Sequence, residues 1–503
     1  AGVRVWDNFM SSLARKTIDG ATLNVTTILF KTVLQFAVVL PILARIIPPE
    51  QFGYVGMAMA FVALFTMFND LGISAALVRA DEPSPAFWST AFWTNIGLGT
   101  LMTAGTFLAA PAIAAFYREP IVEPLVQALS GMVLMHCVFL VPMAWMQRNF
   151  RFRTIAAIDL SATLVSAVVA LTAAAQGLGM WALVLQQIVL YFVKMIGGLA
   201  AQRAPLRLVF DFSEIVAVLP FSLRLTGEAF VTFINRNADN ILIGRYLGAE
   251  QLGFYGRAYQ IMLVPVTSLS LGAGYALYPA MSSIKHETAR LRVVFLRSVA
   301  VLAGISIPMM TGLALVSEPF VALVFGPNWA PVAPVLSILA FVGVLQTVGG
   351  PSNVLWKALG NSKILLQWAL IRMVGFVFAF TIGVYMGSIV ALSAAYLIAN
   401  FVLFVPLQVI TLRHMDIPLS HYLAAIIPAT VSSVVMAIAI IGTQMIWPGL
   451  GALASPVQLA ILVPLGVFAF AGAMYGLFGS FVRDLLTEAR ELLAQRSHGA
   501  PAE

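Results

Sequence analysis

Basic side chains recur inside stretches of this sequence that are otherwise long and apolar. A charge near the centre of a bilayer costs about 2.5 to 3.5 kcal/mol on insertion scales, so a retained charge normally faces a cavity or a partner. Ammonium and guanidinium groups bind anions, and the planar fork of an arginine matches the oxygens of a phosphate. The sequence therefore predicts a site for an anionic group of the phosphate class. The candidate residues are Lys31, Arg224, Arg236, Arg257 and Arg372.

Two of these candidates belong to polar helix faces. Residues spaced three or four apart share one face of a helix. The first face consists of Asn24, Thr27, Lys31 and Gln35. The second consists of Arg224, Glu228, Thr232, Asn235 and Asp239, with Arg236 beside it. We expect the two faces to line one polar cleft.

Local neutralisation is the alternative to an anion site. Arg224 has Glu228 one turn away and Arg236 has Asp239 at i+3, so each pair would only balance its own charge. Lys31 has no acid at helical spacing. Two further basic residues, Lys194 and Arg297, lie towards helix ends, and we expect them to extend to the membrane surface. Arg257 lies near an outer helix end, so the alternative to a role in the anion site is that its side chain extends to the lipid headgroups.

Three acids inside apolar stretches are candidates for binding a coupling ion, H⁺ or Na⁺. They are Asp70, Glu228 and Asp239. For Asp70 the alternative is a hydrogen-bonded structural role. Glu123 and Asp159 fall in the first turns of their helices, where an acid complements the helix dipole, so we set both aside. His136 is expected to be a packing residue.

Composition defines the class of protein. Sixty per cent of the residues are hydrophobic and 10% are charged, which leaves too little polar surface for a water-soluble fold. Apolar stretches long enough to cross about 30 Å of hydrocarbon recur along the chain. We predict an all-α integral membrane protein with fourteen transmembrane helices, over residues 21–45, 54–78, 87–115, 121–146, 154–176, 180–202, 214–244, 251–282, 291–316, 333–357, 363–385, 388–411, 420–444 and 456–482.

Lysine and arginine collect in alternate connections, which predicts the orientation of the chain. With both termini in the cytoplasm, the inner connections hold most of the basic residues, whereas the outer ones hold only Arg45, Arg118 and Arg245. An even number of spans follows. The net charge of +7 is explained by this topology, so we expect no nucleic acid among the partners.

Residues 21–78 recur as 221–278 without a gap, and the segment EQFGYVGMA at 50–58 answers EQLGFYGRA at 250–258. The repeat is offset by six predicted spans, so the sequence predicts two parallel six-helix lobes. We expect Gly53, Gly56, Gly253 and Gly256 to permit turns and close packing where outer helix ends meet. The predicted organisation is an amphipathic leader (1–20), an N-lobe (21–202), a cytoplasmic linker (203–213), a C-lobe (214–411), two appended spans (420–482) and an amphipathic tail (483–503).

Several kinds of site are not encoded. The single cysteine, Cys137, excludes a disulfide framework, and no GxxxxGK, HExxH or Cys/His cluster occurs. Connections between spans are short, which leaves no room for a soluble catalytic domain. We therefore expect no enzyme activity, no catalytic residues, no metal and no cofactor.

Two segments of the chain resemble the bacterial polysaccharide flippases of the Wzx type. They are the pattern ILARIIPPEQFGYVGMAMAFVALFTMFNDLGISAALV and the signature RNADNILIGRYLGAEQLGFYGRAYQI. Flippases of this type form the oligosaccharide branch of the multidrug/oligosaccharidyl-lipid/polysaccharide exporter superfamily. The resemblance implies a flippase of the inner membrane for O-antigen or exopolysaccharide precursors. Its substrate would be an undecaprenyl-diphosphate-linked oligosaccharide, moved to the outer leaflet by alternating access and driven by an ion gradient.

Two other functions stay open within the same superfamily. One is a flippase for the peptidoglycan precursor, which would also be basic and have fourteen spans. The other is a drug or metabolite antiporter, for which twelve spans and an acidic cleft would be expected. We expect the chain to act as a monomer among membrane lipids, with other polysaccharide assembly proteins as candidate partners.

Overall fold

The computed structural model describes residues 26–67, 72–80 and 83–497, and it is helical without strands over that part of the chain. The long apolar stretches of the sequence form the helices, because a backbone in hydrocarbon must satisfy its own hydrogen bonds. The helices are α1 (Thr26–Ile46), α2 (Pro49–Met67), α3 (Ile73–Arg79), α4 (Pro85–Tyr117), α5 (Val122–Arg148), α6 (Phe152–Ala175), α7 (Met180–Ala201), α8 (Phe212–Tyr246), α9 (Ala249–Ser283), α10 (Thr288–Leu315), α11 (Ser317–Val324), α12 (Val332–Val348), α13 (Gly350–Ala358), α14 (Ser362–Tyr385), α15 (Ile389–His414), α16 (Leu419–Ile446) and α17 (Ser455–Ser497).

Thirteen segments in the described part are long and apolar enough to cross a membrane, with α12 and α13 counted as one. The chain is therefore a multi-pass membrane protein. The predicted span 214–244 coincides with α8, which is continuous but is not among the thirteen. The count of fourteen spans and the cytoplasmic termini stay predictions.

Two predicted spans contain a break. The span predicted at 54–78 is divided between α2 and α3, and α3 begins after Gly72, whose φ of 75° lies in the left-handed region that favours glycine. The last helix, α17, passes from its apolar part into the tail through a kink at Phe478. Residues 1–25, 68–71, 81–82 and 498–503 lie outside the described part, and with them the predicted leader.

The chain folds as two compact units. The first comprises residues 1–257, 324–329 and 366–395, and the second 258–323, 330–365 and 396–503. The core of the second unit is built around α10, which packs against α12 and α16. There Phe295 of α10 stacks on Tyr422 of α16 with ring centroids 6.4 Å apart.

In the first unit, a short linker leads into α8. Asp211 caps α8: its carboxylate accepts from the backbone N–H and the hydroxyl of Ser213, and these hydrogen bonds hold the pKa of the Asp211 carboxyl below its usual value. The backbone N–H of Asp211 donates to the hydroxyl of Thr90 on α4. The start of α8 is thereby fixed to its neighbour.

The first turns of α2 and α9 meet at a contact that we call the glycine interface: Pro49, Gly53, Ala249 and Gly253. A Cβ atom built on Gly53 would lie 1.7 Å from the carbonyl oxygen of Ala249, and one built on Gly253 would lie 2.1 Å from that of Pro49. Only glycine permits so close an approach. The predicted close packing is confirmed at these two glycines.

The second glycine of each repeat does not share this role. A Cβ on Gly56 would make an ordinary contact with Leu252 at 3.5 Å, and one on Gly256 would meet nothing within 4 Å. Both positions are helical, so neither is needed for a turn. The expectation of close packing is therefore wrong for Gly56 and Gly256.

Trp329 forms the centre of an aromatic cluster beside the glycine interface. It is completely buried, and the rings of Phe52, Phe254 and Phe325 lie 5.2, 6.0 and 5.6 Å from it. Its indole N–H donates to the carbonyl oxygen of Ala44 at 2.8 Å. In a longer helix that carbonyl would bond to residue 48, which is a proline without an N–H. The indole thus satisfies an acceptor that the end of α1 leaves open.

Candidate functional site

Three charged side chains from three helices meet in the first unit, and we call them the basic triad: Lys31, Asp159 and Lys194. The Nζ atom of Lys31 lies 2.9 Å from Oδ2 of Asp159. The Nζ atom of Lys194 lies 3.0 Å from Oδ1 of the same carboxylate. One carboxylate thus bridges two ammonium groups, and the cluster carries a net charge of +1.

The hairpin of α6 and α7 sets the depth of the triad. Asp159 lies seven residues after the first residue of α6, and Lys194 lies seven residues before the last residue of α7. At 1.5 Å per residue, both side chains start about 10 Å from the same end of the hairpin. Two glycines with positive φ, Gly177 and Gly179, reverse the chain at the other end.

Lys31 reaches the triad from α1, one turn before a π-helical segment at Leu34–Val39. Pro41 follows this segment, and its ring would clash with the carbonyl four residues earlier in a regular α-helix. The wider turn therefore accommodates the proline, and such segments occur frequently at functional sites. Gln35, inside the segment, lies 3.4 Å from the side-chain nitrogen of Gln186 on α7.

The triad is partly open. The side chains of Lys31, Asp159 and Lys194 are 27, 23 and 22% exposed. An ammonium group has three donors, and each lysine uses one of them on Asp159. Both lysines therefore have donors left for a second anion.

Two sequence predictions are wrong at this site. Asp159 was set aside as a helix-dipole residue, but it binds two lysines. Lys194 was expected to extend to the membrane surface, but its ammonium group turns to Asp159. In both cases the ion pair offsets the cost of a charge among apolar helices. The sequence did contain a signal for this pairing, because Asp159 and Lys194 lie at equal depth in consecutive spans.

His136, on α5, packs against α7, the helix that carries Lys194. Its ring packs edge to face with Tyr191 of α7, with centroids 5.4 Å apart. Its Nδ1 atom is buried and has no hydrogen-bond partner in the described part of the chain. The prediction of a packing residue agrees with this contact.

The candidates on α8 have other partners. The side-chain amide of Asn235 donates to the backbone carbonyl of Ala369 on α14 at 3.3 Å. Ala369 lies one turn before Arg372, and Arg372 is half-buried. Arg236 is exposed, as is Thr232. Among the described residues, no hydrogen bond or ion pair joins Lys31 to α8.

Asp239, an acid of the second polar face, is deeply buried, at 2% exposure. Its Oδ2 atom accepts from the hydroxyl of Tyr255 at 2.8 Å, and its Oδ1 atom accepts from the backbone N–H of Asn240 at 2.8 Å. Within the described residues it forms no ion pair with Arg236, so the proposed local neutralisation of these two residues is not observed.

Arg257 lies against the aromatic cluster. Its guanidinium carbon is 4.9 Å from the ring centroid of Phe52, in cation–π geometry, and its Nε atom is buried. The arginine therefore packs inward and does not extend to the headgroups. Of the remaining candidates, Thr27 is buried, Asn24 and Asp70 lie outside the described residues, and so do the side chains of Arg224 and Glu228.

The fold defines a helical multi-pass membrane protein, and comparison with known proteins supplies its family. Residues 42–334 match the family described as "Polysaccharide biosynthesis protein", and the chain belongs to that family. It is 29% identical over 399 residues to the lipopolysaccharide biosynthesis protein WzxC of Escherichia coli K12, covering 78% of this chain and 80% of the relative. It is 29% identical over 381 residues to the succinoglycan biosynthesis transport protein ExoT of Rhizobium meliloti, covering 76% and 77%.

The fold also has a solved counterpart. The lipid II flippase MurJ in an inward closed conformation superposes with a TM-score of 0.69, covering 94% of this chain and 99% of that one at 14% identity. At this identity the similarity concerns the fold alone. It agrees with the all-helical architecture predicted from composition.

Proposed function

We propose that this protein is a flippase that moves a polyprenyl-diphosphate-linked oligosaccharide across the bacterial cytoplasmic membrane. The observation that carries the proposal is the basic triad, a partly open cluster of net charge +1 among membrane-spanning helices. A diphosphate is the anionic part of such a lipid. Lysine ammonium groups bind phosphate oxygens through charge-assisted hydrogen bonds.

The family supports this class of substrate. The chain belongs to a polysaccharide biosynthesis family, and one relative, ExoT, is named as a transport protein of succinoglycan biosynthesis. The fold is shared with the lipid II flippase MurJ, so this architecture can accommodate a flippase. Movement between leaflets breaks no covalent bond, so the protein acts as a transporter and not as an enzyme.

The position of the triad suits loading from the cytoplasm. With the predicted cytoplasmic N terminus, the end of the α6–α7 hairpin nearest to the triad is cytoplasmic, and the lysines lie about 10 Å inside it. The glycine interface closes the outer ends of α2 and α9 in the same orientation. Alternating access would open this contact while the diphosphate passes outward, with the polyprenyl chain kept in lipid.

Lipid movement in reconstituted vesicles tests the proposal. The substrate is a fluorescent polyprenyl-diphosphate oligosaccharide, and the readout is the fraction quenched by a membrane-impermeant reductant. We expect rapid movement with the wild-type protein, and at least a tenfold slower rate for Lys31→Gln and Lys194→Gln. Lys285→Gln, at an exposed position between α9 and α10, is the control and keeps the wild-type rate.

Two results would overturn the proposal. One is a folded wild-type protein that leaves the labelled lipid in its original leaflet. The other is equal movement of a polyprenyl monosaccharide that lacks the diphosphate, because the triad would then not recognise the anionic group.

A further inference from the structure

We propose that Asp159 is an internal counterion that the diphosphate of the transported lipid displaces from Lys31 and Lys194. It is a positioning residue, which acts through the two lysines and does not itself bind the substrate. The inference rests on the proposed function and adds a mechanism of release to it.

The carboxylate occupies the place that a phosphoryl group would take. Its two oxygens divide between the two lysines, at 2.9 Å for Lys31 and 3.0 Å for Lys194. A phosphate presents oxygens that can bridge two ammonium groups in the same way. The three side chains are 22 to 27% exposed, so an incoming anion can reach the lysines while Asp159 still holds them.

The balance of charge explains why a transporter would keep an acid here. Two lysines without a counterion would repel each other and bind a diphosphate strongly. A transporter that binds its substrate too strongly releases it slowly. Binding interactions that are equally strong throughout the cycle do not speed transport. When the diphosphate leaves, Asp159 takes back both lysines. The same contact that weakens binding therefore promotes release.

The sequence provides the matched control. Glu123 lies in the first turn of α5, in the same unit, and contacts the side chain of Gln127 at 3.3 Å. Glu123→Gln removes one negative charge from a neighbouring span without touching the triad. Asp159→Glu keeps the charge at the triad, and Asp159→Asn removes it.

Binding and transport together test the inference. The full-length protein in lipid nanodiscs is titrated with farnesyl diphosphate. We expect Asp159→Asn to bind this probe about tenfold more tightly than wild type, and Asp159→Glu and Glu123→Gln to bind it like wild type. In vesicles, Asp159→Asn should lower both the half-saturating lipid concentration and the maximal rate of movement. A residue needed only for folding would not lower the half-saturating concentration.

A second pair of variants covers the case in which Asp159→Asn does not fold. In Lys194→Gln, Asp159 still engages Lys31, whereas Lys194→Gln/Asp159→Asn frees Lys31 and contains no lysine pair. We expect the double variant to bind farnesyl diphosphate more tightly than the single one.

The outcomes separate the two proposals. Equal or weaker binding after removal of Asp159, in either background, overturns the counterion role while the flippase function stands. If farnesyl diphosphate binds to none of the folded proteins, the counterion role fails, and the flippase function fails with it only if the wild-type protein also moves no labelled lipid. If the probe binds as described and the wild-type protein moves no lipid, the transport function fails and the displaced counterion remains only as a feature of anion binding.

Discussion

Gly53 lies so close to Ala249 that a Cβ atom on the glycine would be 1.7 Å from the carbonyl oxygen of the alanine. The reciprocal contact, between Gly253 and Pro49, is nearly as close at 2.1 Å. Positions 53 and 253 are equivalent in the two repeats, and so are positions 49 and 249. The duplication of sequence thus produces a contact in which each repeat presents its glycine to the other.

We predict that alanine at either glycine destabilises this contact. A methyl group cannot fit without separating the two backbones, and overpacking of this kind costs about 1–3 kcal/mol. Gly53→Ala and Gly253→Ala should both lower the melting temperature of the purified protein. Gly256→Ala is the control: its Cβ meets nothing within 4 Å, and alanine favours a helix over glycine by about 0.5–1 kcal/mol. An unchanged melting temperature in Gly53→Ala would contradict the contact.

We predict that Trp329→Phe destabilises the aromatic cluster through its lost hydrogen bond. Phenylalanine keeps an aromatic ring but leaves the Ala44 carbonyl without the indole donor, and a buried unsatisfied acceptor costs about 1–3 kcal/mol. The measurement is again thermal unfolding. Trp447→Phe, at a tryptophan that is 48% exposed, should have little effect. Equal shifts in the two variants would contradict the role of the hydrogen bond.

Much of the fold follows from hydrophobic stretches and their spacing. The repeat and its glycines predicted close packing, and the structure confirms it at Gly53 and Gly253. The contact of Trp329 with Ala44 could not be predicted, because the two residues are 285 positions apart and the acceptor is a backbone carbonyl. Only the proline at position 48 signalled that the carbonyl of Ala44 lacked its helical donor.

The sequence singled out Lys31 as a candidate but did not predict its partner. Lys31 was singled out because no acid lies near it along its own helix, yet its partner Asp159 is 128 positions away. Spacing along one helix reveals only local ion pairs. Pairing between spans depends on which helices become neighbours, and here α1 lies against α6.

We predict that the triad tolerates the loss of either lysine but not of both. In Lys31→Gln or Lys194→Gln the carboxylate of Asp159 keeps one partner, so the folded yield should stay near that of wild type. In the double variant Asp159 becomes an unpaired charge among apolar helices, which destabilises the fold. The yield of monodisperse protein after purification should fall.

Removing the unpaired charge of Asp159 should restore folding of the double variant. Lys31→Gln/Lys194→Gln/Asp159→Asn has no charge at the triad, and its folded yield should return towards wild type while transport stays absent. A triple variant that folds as poorly as the double one would show that the loss does not come from the unpaired carboxylate.

Finally, we predict that Asp239 couples transport to a proton gradient. The carboxylate is buried, and in the described part of the chain its partners are the Tyr255 hydroxyl and a backbone N–H, which carry no charge. A buried carboxylate without a cation is stabilised by taking up a proton. Asp239→Asn keeps an acceptor for Tyr255 but cannot titrate. In vesicles with an imposed pH gradient, wild-type movement of the labelled lipid should accelerate, whereas Asp239→Asn should move it at the rate seen without a gradient. Glu123→Gln should keep the acceleration, and a gradient response that persists in Asp239→Asn would assign the coupling to another group.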